Sequence, residues 1–213
     1  MLMLGALMVL GVGVTSLFGD SIRAQQYVRP VPVAVESVAE ALSVAPGPIS
    51  PESLFIPARG VNTIVEPAGA LDALNPHTGQ VVPTFPVPGG PFTTVWWQEG
   101  AAPGDDGMAV ILGHARSGRA AVFNELGSLE PGDVVGVSGV NPTGQDVVAR
   151  YLVSEVVAQV SKADPKALPH VLARAPGGAV LALITCSGDV DSELESFTDN
   201  TVIFATLEGV YAE

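Results

Sequence analysis

The sequence VLALITCSGDVDSELESFTDNTVIFA, at residues 180–205, contains the single cysteine of the chain between two apolar runs. The first run, residues 180–184, and the second, residues 202–205, are short and rich in β-branched or bulky side chains, which predicts two buried strands. A polar, acidic segment joins them. Cys186 closely follows the first run, so we expect a thiol at the end of a central strand, where a rigid scaffold can still expose it. A cysteine that only packs in the core is the alternative.

The rest of the chain after residue 52 alternates short apolar runs with turns that contain Gly and Pro. This pattern has little helix and no internal repeat, and it predicts a mainly β barrel or sandwich. One run, residues 108–112, ends at Gly113, so His114 also follows a strand. A thiolate is a nucleophile, and a nearby imidazole can move the protons that its reactions require. Cys186 and His114 are therefore candidate partners in thiol catalysis.

Other candidate site residues are weighed by their local sequence. His77 and His170 each follow a proline in a predicted loop, which favours solvated surface positions over a catalytic role. Trp97 ends the β-rich run of residues 92–97 and is interpreted as a core or groove-lining residue. Trp97 and Thr185, which precedes the cysteine, are included as candidate substrate-binding residues.

Composition and charge limit the possible functions. The 213 residues are 47% hydrophobic and carry a formal net charge of -13, so a sizeable core can form without disulfides or metals. The acidic balance argues against nucleic acid as a partner, because no basic surface replaces the counterions of the phosphates. Sequence patterns for P-loops, dinucleotide-binding folds and zinc sites are absent. We predict no metal and no cofactor. Calcium held by the four carboxylates of residues 189–195 is the alternative to a solvated acidic loop.

The chain divides into three predicted parts. Residues 1–19 are almost uncharged and have about the length that a helix needs to cross a bilayer, which favours a single-pass transmembrane anchor over a cleaved signal peptide. Residues 20–52 are a linker that several prolines stiffen. Residues 53–213 are the folded domain. This order predicts a protein of the cell membrane whose domain lies outside the cell.

Five sequence blocks, in the same order, resemble the sortases, the membrane-anchored cysteine transpeptidases of Gram-positive bacteria. The blocks are SLFIP at 53–57, PGDDGMAVILGH at 103–114, VFNELGSLEPGD at 122–133, LITC at 183–186 and FTDNTVIFA at 197–205. The chain looks most like the actinobacterial class F, with class E next. The resemblance implies a closed β-barrel of about eight strands with short helices.

The resemblance also implies a chemical role for the two candidate residues. Cys186 would attack the Thr–Gly bond of an LPxTG-like sorting signal at the C-terminus of a secreted protein. An amine, commonly from a peptidoglycan precursor, would then resolve the thioester. His114 would protonate the departing amine and take a proton from the incoming one.

The sequence departs from the sortase pattern at a third residue. Sortases use an arginine shortly after the cysteine to bind substrate and to stabilise the oxyanion, but residues 187–213 contain no Arg and no Lys. Thr198 and Asn200 occupy the equivalent positions, where each could donate a neutral hydrogen bond. Arg116 and Arg119, shortly after the candidate histidine, are the possible substitutes, although solvated loop charges are the simpler interpretation.

Three functions therefore stay open at the level of sequence. An active transpeptidase is favoured by the paired blocks around His114 and Cys186. A catalytically weakened, sortase-like peptide-binding barrel is favoured by the missing arginine. A redox-sensing thiol protein is the third, and it would need a thiol from a partner, because the chain has no second cysteine.

Overall fold

The fold is known from a computed structural model that describes residues 43–74, 79–193 and 196–213. The predicted anchor at residues 1–19, most of the predicted linker and His77 lie outside the described residues. Within the described part of the chain, no helix is long and apolar enough to span a membrane.

The described residues contain eleven strands, eight of which close a barrel. In chain order the strands are β1 Ser43–Val44, β2 Ser50–Ile56, β3 Val61–Ala68, β4 Leu71–Leu74, β5 Val81–Thr84, β6 Thr94–Trp97, β7 Gly107–Gly113, β8 Val134–Val140, β9 Asp146–Ser161, β10 Ala179–Asp191 and β11 Ser196–Ala212. Around the barrel they run β2-β3-β6-β7-β10-β11-β9-β8, and β8 pairs again with β2. The predicted mainly β fold with a closed barrel of about eight strands is confirmed.

Short helices and two accessory strand pairings complete the fold. The α-helix α1, Ala167–Leu172, lies between β9 and β10, and two 3₁₀ helices span Pro57–Arg59 and Leu126–Ser128. Strands β4 and β5 form a separate hairpin, and β1 pairs with the end of β11. The predicted boundary between linker and domain, between residues 52 and 53, lies inside β2. Ile49, just before it, is only 1% exposed, so residues of the predicted linker are part of the packed barrel.

Alternating side chains of the strands build two separate apolar cores. The first fills the barrel and includes Ile111, Leu183 and Ile203. The second lies on the outer side of β7, β10, β11 and β9 under helix α1, and we call it the outer core. Its fully or nearly fully buried members on the four strands are Val110, Val160, Val180, Ala182, Ile184, Val202 and Phe204. Each of these four strands is therefore covered by apolar side chains on both faces.

The sequence predicted that the strand of Cys186 ends at the cysteine. This prediction is wrong, because β10 continues to Asp191. Its pairing with β11 continues past Cys186, shifts register between Ser187 and Val190, and ends at Asp191. Gly188 lies in this irregularity with a φ of 83°, a conformation that glycine adopts without steric cost. Part of the predicted acidic loop therefore belongs to a long hairpin, because β11 provides backbone partners for it.

Burial of Tyr151 makes the stability of the barrel depend on pH in the alkaline range. Its ring is 1% exposed inside the barrel, and the backbone N–H of Gly104 donates to its phenolic oxygen at 2.6 Å. Burial raises the pKa of Tyr151 from 10.0 to about 12, and the Gly104 hydrogen bond opposes this shift. Between these pH values the folded chain keeps the phenol proton and the unfolded chain has released it, so the free energy of unfolding falls as pH rises.

We expect this contribution to be fully present below pH 10 and to be lost as pH rises through 12. Its slope in that window approaches ~1.4 kcal/mol per pH unit. Urea unfolding at several pH values gives the free energy of unfolding as a function of pH. Above pH 10 this free energy should fall less steeply with pH in Tyr151→Phe than in the wild type. At neutral pH the variant should be less stable by about 1 kcal/mol, because the Gly104 N–H loses its acceptor. Identical slopes in the two proteins would contradict this account of Tyr151.

Candidate functional site

Cys186 on β10 and His114 directly after β7 occupy corresponding positions of two adjacent parallel strands. Strand β10 pairs in parallel with β7 up to Ile184, which lies opposite Leu112, and two residues further each chain reaches a candidate residue. Ile184 and Leu112 both contribute to the outer core. Because side chains alternate along a strand, Cys186 and His114 also face outward. Both are half-buried, so the structure brings them to one outer face that a ligand can reach.

Thr185 is buried between the two candidate residues and uses its hydroxyl inside the protein. It is 5% exposed, and its Oγ1 donates to the carbonyl oxygen of Gly113 at 2.9 Å. Gly113 is itself confined, because a Cβ there would lie 2.3 Å from the Phe123 ring. The Thr185 hydroxyl thus ties the strand of Cys186 to the strand of His114. Its placement favours a role in positioning the site over contact with substrate.

We expect Thr185→Val to impair the site more than the fold. The substitution keeps the shape and removes one buried hydrogen bond, which should lower the free energy of unfolding by about 1 kcal/mol. Thr185→Ser keeps the hydroxyl and should restore the rate of modification of Cys186 by a peptide substrate. Urea unfolding and the acylation rate would be measured on both variants. Equal rates for the valine and serine variants would contradict a positioning role.

His114 is held by a backbone carbonyl from the segment that precedes β6. Its Nε2 lies 3.1 Å from the carbonyl oxygen of Pro88. A carbonyl oxygen only accepts hydrogen bonds, so Nε2 carries a proton in this arrangement. In the neutral ring Nδ1 is then the nitrogen with the lone pair. The contact fixes the orientation and the tautomer of the imidazole.

Lys162, a residue that no sequence motif marks, contacts the sulfur of Cys186. Its Nζ donates to Sγ at 3.2 Å and lies 3.5 Å from the hydroxyl of Ser196. Its backbone N–H donates to the carbonyl of Thr198 at 3.0 Å. Lys162 follows β9 directly. A positive charge at hydrogen-bonding distance attracts the negative charge of a thiolate or an oxyanion.

The two residues proposed in place of the family arginine differ in their placement. Asn200 lies directly opposite Cys186 in the pairing of β10 with β11. By alternation with Val202, which is part of the outer core, its side chain faces the same side as the thiol. The Thr198 hydroxyl donates to the carboxylate of Asp199 at 2.8 Å. Asn200 is therefore the better placed neutral donor.

The arginines proposed as substitutes lie in the turn after β7. The backbone N–H of Arg116 donates to Asn124, and the carbonyl of Arg119 accepts from the same side chain. Within the described part of the chain, no hydrogen bond or ion pair of either guanidinium is found. Neither guanidinium therefore hydrogen-bonds the sulfur of Cys186 in this structure, and the substitution of either arginine for the family arginine stays a prediction. His170, the other described candidate histidine, is exposed on α1.

Trp97 forms part of the wall of the outer core. Its ring packs edge-on against Phe85, with the centroids 5.0 Å apart and an interplanar angle of 90°. Its indole N–H donates to the carboxylate of Glu99. The side chain remains half-buried, so one part of an aromatic wall is open to a ligand. Within residues 43–74, 79–193 and 196–213, no group of three or more His, Cys, Asp or Glu is arranged to hold a metal ion.

Two of the solved structures that share this fold are sortases of other bacteria. The sortase E1 from Streptomyces coelicolor, determined with a tripeptide in its active site, is 18% identical, with a TM-score of 0.51 over 79% of this chain and 93% of that chain. The SrtA sortase from Actinomyces oris is 17% identical, with a TM-score of 0.51 over 81% of this chain and 86% of that chain. At these identities the likeness concerns the fold alone.

The sequence itself carries the family relationship. No curated protein matches it, but residues 54–208 match the Sortase domain family. The match spans the barrel from β2 to β11 and includes both His114 and Cys186. The chain therefore belongs to the sortases, a family of cysteine transpeptidases, as the five sequence blocks predicted.

Proposed function

We propose that the chain is an active transpeptidase that cleaves an LPxTG-like sorting signal and transfers the new C-terminus to an amine of the cell wall. One observation carries the proposal. Strands β10 and β7 are parallel neighbours, and Cys186 and His114 each come two residues after the last paired residues, Ile184 and Leu112. A nucleophile beside an acid–base group is what a two-step acyl transfer requires.

In the first step the sulfur of Cys186 attacks the carbonyl carbon of the threonine in the signal. A C–S bond forms and the C–N bond to glycine breaks, while protonated His114 gives a proton to the departing amine. In the second step the amine of the acceptor attacks the thioester carbon. A C–N bond forms, the C–S bond breaks, and His114 takes the proton of the incoming amine.

The peptide is proposed to bind along the outer face that carries the two residues. Trp97 offers an apolar, half-buried wall there, and such walls with a few polar groups are typical of ligand sites. The tripeptide in the active site of the sortase E1 from Streptomyces coelicolor supports a peptide ligand at this fold. We extend the proposal to a class F enzyme, with class E next, on the strength of the sequence blocks.

The cellular setting is also part of the proposal. The uncharged segment at residues 2–19 supports a single-pass anchor, with the barrel outside the cell membrane. There the barrel would meet secreted proteins that carry the signal, and amines of peptidoglycan precursors. No metal or other cofactor takes part in the proposed chemistry.

A transfer assay tests the proposal. The purified chain is mixed with LPxTG-like peptides, in which each position is varied in turn, and with triglycine as the acceptor amine. Mass spectrometry should detect a peptide joined to triglycine at the threonine, together with the released C-terminal fragment. Product that appears with water but never with any amine would contradict a transpeptidase.

A catalytically weakened peptide-binding barrel is the second candidate function. It is favoured by the absence of Arg and Lys from residues 187–213 and by the Thr198 hydroxyl, which is engaged by Asp199. In this case the peptides bind, as titration calorimetry would measure, but neither the joined product nor the released fragment forms. The same peptide panel therefore separates the two functions.

A further inference from the structure

The cation that contacts the sulfur of Cys186 comes from the segment directly after β9 and not from the chain that follows the cysteine. No Arg or Lys follows Cys186 in the sequence, yet the Nζ of Lys162 donates to its Sγ at 3.2 Å. We propose that Lys162 is the catalytic cation of this site, where its ammonium stabilises the thiolate and then the oxyanion of each acyl-transfer step. This inference rests on the transpeptidase function proposed above.

A β-bulge explains how Lys162 reaches the sulfur. In the pairing of β9 with β11, Val202 lies opposite Val157 and Asn200 lies opposite Val160. Three steps along β9 therefore match two steps along β11. Gln159 lies in this bulge with a φ of 58°, the only positive φ of a non-glycine residue in the described chain. Bulges of this kind bend a strand and change the direction of the side chains that follow.

The extra residue turns the end of β9 toward the thiol. Val157 and Val160 both pack in the outer core, although an unbroken strand would place residues three apart on opposite faces. Lys162 lies two residues after Val160 and so shares its face. Without the bulge, positions 157, 159 and 161 would face outward and Lys162 would point into the barrel. The strained backbone at Gln159 thus positions a cation beside Cys186, and strain of this kind is concentrated at functional sites.

None of the other described cations hydrogen-bonds the sulfur. Arg150 pairs with Glu208, Arg174 pairs with Glu155, and Arg59 donates to two backbone carbonyls. Lys166 is exposed, and the guanidinium groups of Arg116 and Arg119 make no described contact. Among the residues that the structure describes, Lys162 is the cation that hydrogen-bonds the sulfur.

An ammonium group can serve both stages of the reaction without giving up its proton. In the free protein it neutralises the charge on the attacking sulfur. When the thiolate adds to the peptide carbonyl, the negative charge moves to the carbonyl oxygen, one carbon away from the sulfur. The long, flexible stem of lysine lets the same ammonium follow this short shift of charge, while Asn200, opposite Cys186, is placed to donate a neutral hydrogen bond. Removal of one such donor slows acyl transfer on the order of a hundredfold.

Three variants test the role of the charge: Lys162→Met, Lys162→Arg and, as the matched control, Lys166→Met from the exposed part of the same loop. We measure the single-turnover rate of Cys186 acylation by an LPxTG-like peptide. Lys162→Met should be slower on the order of a hundredfold, and Lys162→Arg should recover most of the rate. Lys166→Met should behave as the wild type. An unchanged rate in Lys162→Met, with an unchanged melting temperature, would overturn the inference.

A second measurement does not depend on transpeptidation. Iodoacetate is an anion and iodoacetamide is neutral, and both alkylate Cys186. The rate with iodoacetate divided by the rate with iodoacetamide should fall several-fold in Lys162→Met. This ratio should stay near the wild-type value in Lys162→Arg and Lys166→Met. An equal ratio in all four proteins would show that the ammonium does not act at the sulfur.

Together the two measurements show whether the transpeptidase function or the role of Lys162 has failed. If the alkylation ratio depends on Lys162 but the wild-type chain forms no acyl adduct, the transpeptidase function fails and the contact of Lys162 with the sulfur is supported. If the chain is acylated but the acyl group resists hydroxylamine and maps to Lys162, the lysine accepts the acyl group as an amine. That result would overturn its role as a cation.

Discussion

Cys186→Ala is expected to abolish the transfer of a sorting-signal peptide to triglycine, with a fall of at least ~10³-fold, to the background of the assay. The chain has a single cysteine, so no second thiol can replace the nucleophile. The structure places this thiol half-buried on the outer face of the barrel, where a peptide can reach it. Without the sulfur there is no thioester, and a single-step attack by an amine on an amide is far slower.

The fold should tolerate this substitution, which makes the result interpretable. Alanine removes only the sulfur atom from a half-buried position, so the melting temperature should change by no more than a few degrees. Binding of the peptide, measured by calorimetry, should persist. Transfer by Cys186→Ala at a rate close to that of the wild type would show that the proposed nucleophile is wrong.

His114→Gln should reduce the same transfer rate by about 10²- to 10⁴-fold, which is the usual contribution of an acid–base residue. Glutamine is of similar size and can still donate to the Pro88 carbonyl that holds Nε2 in the wild type at 3.1 Å. It cannot, however, carry a proton to the departing amine. Both the acylation of Cys186 and its resolution by triglycine should slow, because each step moves a proton through the imidazole.

His170→Gln is the matched control for His114→Gln. His170 is exposed on α1, outside the paired ends of β7 and β10, so its replacement should leave the transfer rate within about twofold of the wild type. Stopped assays with a single peptide and a saturating concentration of triglycine would compare the two variants. Equal losses in both, or no loss in His114→Gln, would remove His114 from the mechanism.

Much of the fold and the pair of candidate residues could be predicted from the sequence because strands are local signals. The runs at residues 108–112 and 180–184 are short, apolar and β-branched, and each is followed within two residues by His114 or Cys186. The five blocks then connected these strands to the sortase barrel. The class within the family remains a prediction, as do the anchor and the roles of Asn200 and Trp97.

The parts that the sequence could not reveal depend on pairing between distant strands. Lys162 reaches the sulfur only because β9 pairs with β11 around a bulge, and neither Ala158 nor Gln159 is a residue type that marks a bulge. The continuation of β10 to Asp191 was hidden for the same reason. Its acidic residues predict a loop, but backbone pairing with the long strand β11 makes them part of a hairpin.

The role of Thr185 also could not be predicted from the sequence. A residue next to a candidate nucleophile suggests contact with substrate, but side chains alternate along a strand. Its hydroxyl therefore points away from the face of Cys186 and is bound by the Gly113 carbonyl. Knowledge of which residues face the interior, which the barrel provides, was needed to assign it a positioning role.

The most direct test of the central claim is the intact mass of the chain after it is mixed with an LPxTG-like peptide in the absence of any amine acceptor. We predict a mass increase equal to the acyl group of the peptide up to its threonine, which is the cleaved peptide less one water. It should map to Cys186 by fragmentation and be removed by neutral hydroxylamine, as a thioester requires. A chain that binds the peptide but never gains this mass would contradict the claim that Cys186 and His114 form an acyl-transfer site.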